Sequence, residues 1–164
     1  FGMGALEDSI RVLNKHGIYI GLYALLGGPG ETRASAERSL EVLRRFDQVD
    51  AVIFTFGMRI YPGTELERIS REEGIIQPDD TLLEPRFYLS PALTDDDVQE
   101  LVDEIRENDR WLAPGDLIDG DDAFLQWAVR KFQIRPIWRS ALKTAPLRRR
   151  NREKSRKPIK LHRH

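Results

Sequence analysis

The stretch Gly17–Thr32, "GIYIGLYALLGGPGET", runs from an uncharged apolar segment into a glycine-rich turn and ends on a threonine. Ile18 to Leu26 is apolar without alternation, the pattern of a parallel strand covered on both faces. Gly27, Gly28 and Gly30 then break it, with Pro29 stiffening the turn. Thr32 is placed to cap the helix "TRASAERSLEVLRRF", whose Leu40, Leu43 and Phe46 share one face. A glycine turn between strand and helix has two readings. It serves chain geometry alone, or it lets a ligand approach the backbone where amides and the helix dipole favour polar groups. These residues leave both open. A phosphate loop is excluded, because no Lys-Ser/Thr pair follows. A dinucleotide fingerprint finds only its first half in Gly28 and Gly30.

Working outward, Leu6, Ile10 and Leu13 form a helical stripe that stops at Gly17. "AVIFTFGMRIY" reads as a second strand, so strand, helix and strand make one right-handed βαβ unit. A regular pleat along it places Thr55, Gly57 and Arg59 on one side. "PGTELERISREEG" carries a Thr64/Glu67 capping box and a Gly74 stop. "IIQPDDTLLEPRFYLSP", with three prolines, predicts an irregular segment wrapped over the βαβ unit. Thr94 and Asp97 form another capping box, opening a helix expected to run on to Trp111. "APGDLIDGDD" ends it. A further helix is expected over 122–142, kinked or ended at Pro136.

Composition narrows the function classes. Of 164 residues, 40% are hydrophobic and 32% charged, and there is no cysteine. That excludes disulfides, thiolate metal sites and a cysteine nucleophile within this chain. His16, His162 and His164 lack zinc-motif spacing, so no metal site is expected. No apolar run reaches the roughly 20 residues a membrane span needs, and the opening is no secretory signal. A cytoplasmic location is expected. Residues 130–164 hold 14 Lys/Arg against the single acid Glu153, leaving the rest of the chain strongly acidic. Such a basic arm suits RNA, an anionic membrane surface or the chain's own acidic body. "AFLQWAVRKFQIRPIWRSALK" either lies in a lipid interface or packs its aromatics on the preceding acidic helix.

The strings "GIYIGLYALLGGPGET", "RIYPGTELERISREEGII" and "DDTLLEPRFYLSP", in that order, resemble the C-terminal half of radical S-adenosylmethionine enzymes, closest to those with a cobalamin-binding domain. The resemblance spans roughly residues 17–91. It implies an α/β fold, the C-terminal portion of a partial (β/α)6 TIM-like barrel: two parallel strands with helices, then a helical extension and a basic tail. The corresponding divisions are 1–91, 92–142 and 143–164. The family's G-x-I-x-G-x-x-E pattern falls on "ALLGGPGE", with Ala24 in the first glycine place, Leu26 in the Ile place, then Gly28 and Glu31. The implied cofactor-binding residues are Leu26, Gly27, Gly28, Gly30, Glu31 and Arg59, with Leu26 as an apolar wall. Glu31 either touches ligand or pairs with the helix dipole. Arg59 either meets the cofactor carboxylate or substrate, or pairs with an acid at the barrel rim. No catalytic residue is assigned.

The implied cofactors are S-adenosylmethionine and, in the full-length enzyme, a 4Fe–4S cluster and cobalamin. Three thiolates normally hold that cluster, and this chain has none. It is therefore expected to be an inactive fragment by itself, partnered by a missing N-terminal half-barrel from the same gene or a separate subunit. A chain opening on Phe1, with two strands that leave edges uncovered, agrees with that expectation. The alternative is a non-catalytic binding module or relic that uses its basic arm.

Overall fold

A computed structural model describes residues 2–114, 116 and 142 of the chain. The expected helix over 122–142, its aromatics, the basic arm and the two C-terminal histidines lie outside the described residues, apart from the isolated residue 142.

The first helix, α1 (Met3–Lys15), ends at His16 and Gly17, whose φ of 66° suits glycine. β1 (Gly21–Leu26), α2 (Arg33–Arg44) and β2 (Ala51–Phe56) follow. β1 and β2 pair in parallel, Gly21 opposite Ala51 through Leu26 opposite Phe56. This is the expected βαβ unit. Thr32 caps α2 through the Ser35 amide, and the Ser35 side chain returns a bond to the Thr32 amide.

Two expectations fail beyond it. The second strand is not continuous: Gly57, at φ 83°, breaks it into β2 and a short β3 (Met58–Arg59). A side chain at Gly57 would come within 3.1 Å of the Tyr88 carbonyl oxygen, so the break needs glycine for space as well as for angle. Arg59 thus leaves the pleat that was to align it with Thr55. The helix from Thr94 also stops early. α4 (Asp95–Arg106) gives way to a turn in which the Asn108 side chain accepts from the Arg110 amide at 2.9 Å. Trp111 and Leu112 then form a strand, β5, parallel to β2. The sheet therefore has three parallel strands, ordered β1-β2-β5, where two were expected.

One core joins α1, α2 and α4 to a single face of this sheet. Ile10, Ala36, Leu40, Val98, Leu101 and Ile105 pack with Leu26, Val52, Phe54 and Trp111. Arg33 ties α2 to α4 by bonding Glu100 at 2.5 Å while holding Glu37 at 2.8 Å, and Arg44 bonds Glu104 at 2.6 Å. These are largely exposed pairs that orient the helices more than they stabilise them. At the start of α4 the capping box is complete. Thr94 accepts from the Asp97 amide, and the Asp97 carboxylate accepts from the Thr94 amide and hydroxyl.

The segment after β3 builds a second, smaller core. α3 (Glu65–Glu72) is capped by Thr64, but its Glu67 reaches one residue further back than expected and accepts from the Gly63 amide at 2.7 Å. The proline-containing segment, expected to wrap over the βαβ unit, packs instead on α3 and β3, reaches the turn after β1 through Leu89 and Ser90, and adds β4 (Phe87–Tyr88), antiparallel to β3. Ile60, Ile76, Leu82 and Tyr88 are the buried residues of this lobe. Arg71 fixes the loop by donating to the carbonyls of Gln77, Pro78 and Asp80 at 2.5, 2.8 and 2.9 Å.

Tyr88 donates its hydroxyl to Glu73 at 2.7 Å. Burial, then the neighbouring carboxylate, pushes that hydroxyl up to about 12 from its ordinary 10.0. A raised tyrosine pKa gives a stability contribution that is complete below the unfolded value. It is lost as pH climbs from about 10 through about 12. Tyr88→Phe should remove this alkaline loss, so that in urea melts the stability of the wild type falls relative to that of the variant between about pH 10 and about 12. Parallel curves over that range contradict the assignment.

Candidate functional site

In parallel α/β sheets, ligands gather beyond the carboxyl ends of strands, where strand-to-helix turns lie. Here that place is the Gly27–Glu31 turn after β1, beside the Phe56–Gly57 end of β2. The small lobe holds it in place. The Leu26 carbonyl accepts from the Gly57 amide at 2.8 Å, and the Gly27 carbonyl accepts from the Ser90 amide at 2.9 Å. Gly27 has φ 90°, and a Cβ on it would sit 2.3 Å from Leu89 Cδ1. The turn is therefore closed against the chain on its Gly27 side.

The other side differs. Gly28 is half-buried and Pro29 and Gly30 are exposed. A Cβ on Gly28 would meet only the Met58 sulfur and methyl at 3.6 Å, and one on Gly30 would meet nothing within 4 Å. Open backbone surface is thus presented by Gly28 to Gly30.

Glu31 lies just before the cap residue, outside the first turn of α2. Its carboxylate accepts from the Gly27 amide and, at 3.2 Å, from the Gly28 amide. The two amides that an external anion would seek are satisfied internally. The turn therefore presents glycine edges backed by the Glu31 carboxylate, which disfavours a phosphate there. Glu31→Ala should cost about 1–3 kcal/mol by leaving these amides without their charged acceptor. Glu31→Gln should cost less, since the amide oxygen can still accept; a loss under 0.5 kcal/mol for both, read from denaturant midpoints, contradicts the pinning role.

The remaining site residues separate. Leu26 is 2% exposed and packs into the helix-side core, so its side chain does not form an open wall. On the opposite face of the sheet the exposed apolar side chain at this level is Leu25. Arg59 is exposed on β3, with its guanidinium 5.0 Å from the Tyr61 ring centroid, a cation–π contact. The structure brings Gly27, Gly28, Gly30 and Glu31 together, turns the Leu26 side chain into the core and stacks Arg59 on Tyr61. Met58, Leu89 and Ser90, which also shape the turn, were missed. Nothing local in "FYLSP" marks Leu89 as the neighbour of a glycine 62 positions earlier. A separate cleft of about 380 Å³, lined by Glu7, Ile10, Arg11, Arg45 and Phe46, sits by α1 and the end of α2. It does not touch the turn. No cluster of metal-ligating side chains occurs among the described residues, and no helix among them is long and apolar enough to cross a membrane.

Solved structures carry the same arrangement. The structure of the radical S-adenosylmethionine methyltransferase TsrM from Kitasatospora setae, with cobalamin and a [4Fe-4S] cluster bound, superposes with TM-score 0.67 at 16% identity. It covers 96% of this chain and 38% of that one. The chain has the fold of part of a cobalamin-binding radical S-adenosylmethionine methyltransferase. A second TsrM structure, with tryptophan substrate and the analogue aza-SAM, gives TM-score 0.66 at 19% identity, covering 94% of this chain and 37% of that one. The chain spans little more than a third of either protein's length. The α/β arrangement with parallel strands that the three sequence strings implied is thus found in part of TsrM, whose structures hold cobalamin, the cluster and an S-adenosylmethionine analogue. No protein-family model and no curated protein matches the sequence.

Proposed function

We propose that this chain is one wall of a radical S-adenosylmethionine enzyme's (β/α) barrel and that its glycine turn contributes to the adenosyl-binding surface. The observation that carries the reading is the Gly27–Glu31 turn itself. It stands at the carboxyl end of the parallel pair β1–β2, with the Gly27 and Gly28 amides donating to Glu31 and the Gly28–Gly30 backbone open. The three helices packed on one face of the sheet agree with a singly wound barrel wall.

The residues present fit one of the implied groups and not another. An open glycine edge beside Met58 suits the nucleoside part of S-adenosylmethionine. The iron–sulfur cluster does not fit, because this chain has no cysteine to ligate it. When bound, S-adenosylmethionine supplies the radical or methyl chemistry. This chain's residues contribute shape: Gly28 and Gly30 admit the ligand, Glu31 holds the turn, and Leu89 backs it. Cluster ligation and any cobalamin contact belong to the rest of the barrel.

Gly28 separates ligand contact from folding, because its φ is not positive and a Cβ there is accommodated. In the polypeptide that includes the preceding barrel portion, Gly28→Val should leave the melting transition within a few degrees of wild type. It should weaken S-adenosylhomocysteine binding by calorimetry about tenfold or more, a loss of roughly 1.4 kcal/mol. Unchanged affinity, or no binding by either protein, overturns the reading.

A further inference from the structure

The face of the sheet opposite the three helices carries a buried group that the two cores do not account for. Val52, Phe54 and Trp111 point into the helix-side core. By alternation, Ala51 and Ile53 of β2 and Leu112 of β5, which lies opposite Ile53, point the other way. All three are 0% exposed within the single chain, yet they belong to neither core. Strands about 4.8 Å to either side flank an isoleucine without roofing it. Its complete burial in the middle strand requires a second layer over that face, as parallel sheets have. Among the described elements none is left to supply it: α1, α2 and α4 lie on the other face, and α3, β3 and β4 close their own core.

Chain order and composition say what belongs there. After β5 the chain turns at Asp116, itself 0% exposed, whose carboxylate accepts from the Ala113 amide at 3.1 Å. The sequence that follows separates into two kinds. Residues 123–142, "AFLQWAVRKFQIRPIWRSAL", hold the rings of Phe124, Trp127, Phe132 and Trp138 and most of the remaining apolar side chains. Residues 148–164 are dominated by lysine and arginine, with Ile159 and Leu161 among them. Only the first kind can roof an apolar sheet face. We propose that segment 123–142 is the second layer of this sheet, docked through its aromatic residues on Ala51, Ile53 and Leu112. That use takes the aromatics away from the two partners their composition also suits, a lipid interface and the acidic helix. In the barrel of the proposed function this face looks inward. The segment then fills the barrel beneath the glycine turn and confines a ligand to the level of Leu25 and Thr55, which are exposed on the same face. The inward direction rests on that reading, and the packing does not.

Methyl NMR on the full chain tests this. The Ile53 δ1 and Leu112 δ methyls should show cross-relaxation to ring protons of Phe124, Trp127, Phe132 or Trp138, and ring currents should shift them upfield. Trp127→Leu and Trp138→Leu each keep an apolar side chain, and combining them should lose part of that upfield shift while the β1–β2 amide resonances stay in place. Should the variants misfold, wild type with only its tryptophan and phenylalanine rings protonated reads the same contacts without substitution. Cross-relaxation from Ile53 and Leu112 to none of the four rings overturns the proposal. So does a blue shift of tryptophan emission on mixed phosphatidylserine and phosphatidylcholine vesicles during which the two methyls do not move, since the aromatics then serve a membrane surface. Ring contacts at Ile53 without S-adenosylhomocysteine binding would sink the ligand reading and leave this packing intact.

Discussion

Gly27→Ala should destabilise the protein by about 2–5 kcal/mol, the sum of a left-handed backbone cost near 1–2 kcal/mol and an overpacking cost near 1–3 kcal/mol. Two separate observations contribute. The residue sits at φ 90°, where a Cβ is strained whatever surrounds it, and that Cβ would lie 2.3 Å from Leu89 Cδ1. Gly30 isolates the first effect, because it too has positive φ, at 74°, but with nothing within 4 Å. Gly30→Ala should therefore cost only about 1–2 kcal/mol. In Gly27→Ala/Leu89→Ala the clash is gone, while the positive-φ cost and the lost leucine packing remain. The pair should show a coupling of about 1–2 kcal/mol in a double-mutant cycle. Urea midpoints at constant m read all four proteins. Equal costs at Gly27 and Gly30 would mean that Leu89 does not close the turn.

The contrast between these two glycines also marks what the sequence made legible. The cluster Gly27, Gly28, Gly30 after an apolar run announces a strand-to-helix turn, and the parallel pairing of β1 with β2 was readable from the unalternated apolar runs and the helix between them. Thr32 and Thr94 declared their helix starts through short-range capping chemistry. Long-range closeness was not legible. Leu26 has the same type as Leu25 and differs only in which face of the pleat it occupies, so its burial in the helix-side core depended on register. Gly57 lay inside a β-branched and aromatic run that reads as one strand, and its break shows only in three dimensions, where its φ is 83° and the Tyr88 carbonyl oxygen passes 3.1 Å from where a side chain would stand. Glu31 had two readings and has a third role: its carboxylate folds back to the amides of Gly27 and Gly28.

The most consequential departure is at Trp111, and it yields the other large effect. As the last residue of an amphipathic helix, Trp111 would end on a partly wet surface and its truncation would be mild. In the structure it opens β5 opposite Val52, is 2% exposed, and packs its ring 4.9 Å from that of Phe54 at an interplanar angle of 53°. The Arg44 guanidinium stands 5.4 Å from the Trp111 centroid while holding Glu104, so one indole joins α2, α4 and the sheet. Trp111→Ala should therefore cost about 3–5 kcal/mol, the range for emptying a buried aromatic site. With Phe54→Ala it should show a coupling of about 0.5–1.5 kcal/mol from the tilted ring pair. Arg44→Ala should cost about 1 kcal/mol or less, since a cation on an aromatic face contributes little where water reaches it. A Trp111→Ala cost under 1 kcal/mol in thermal or urea unfolding would remove β5 from the sheet.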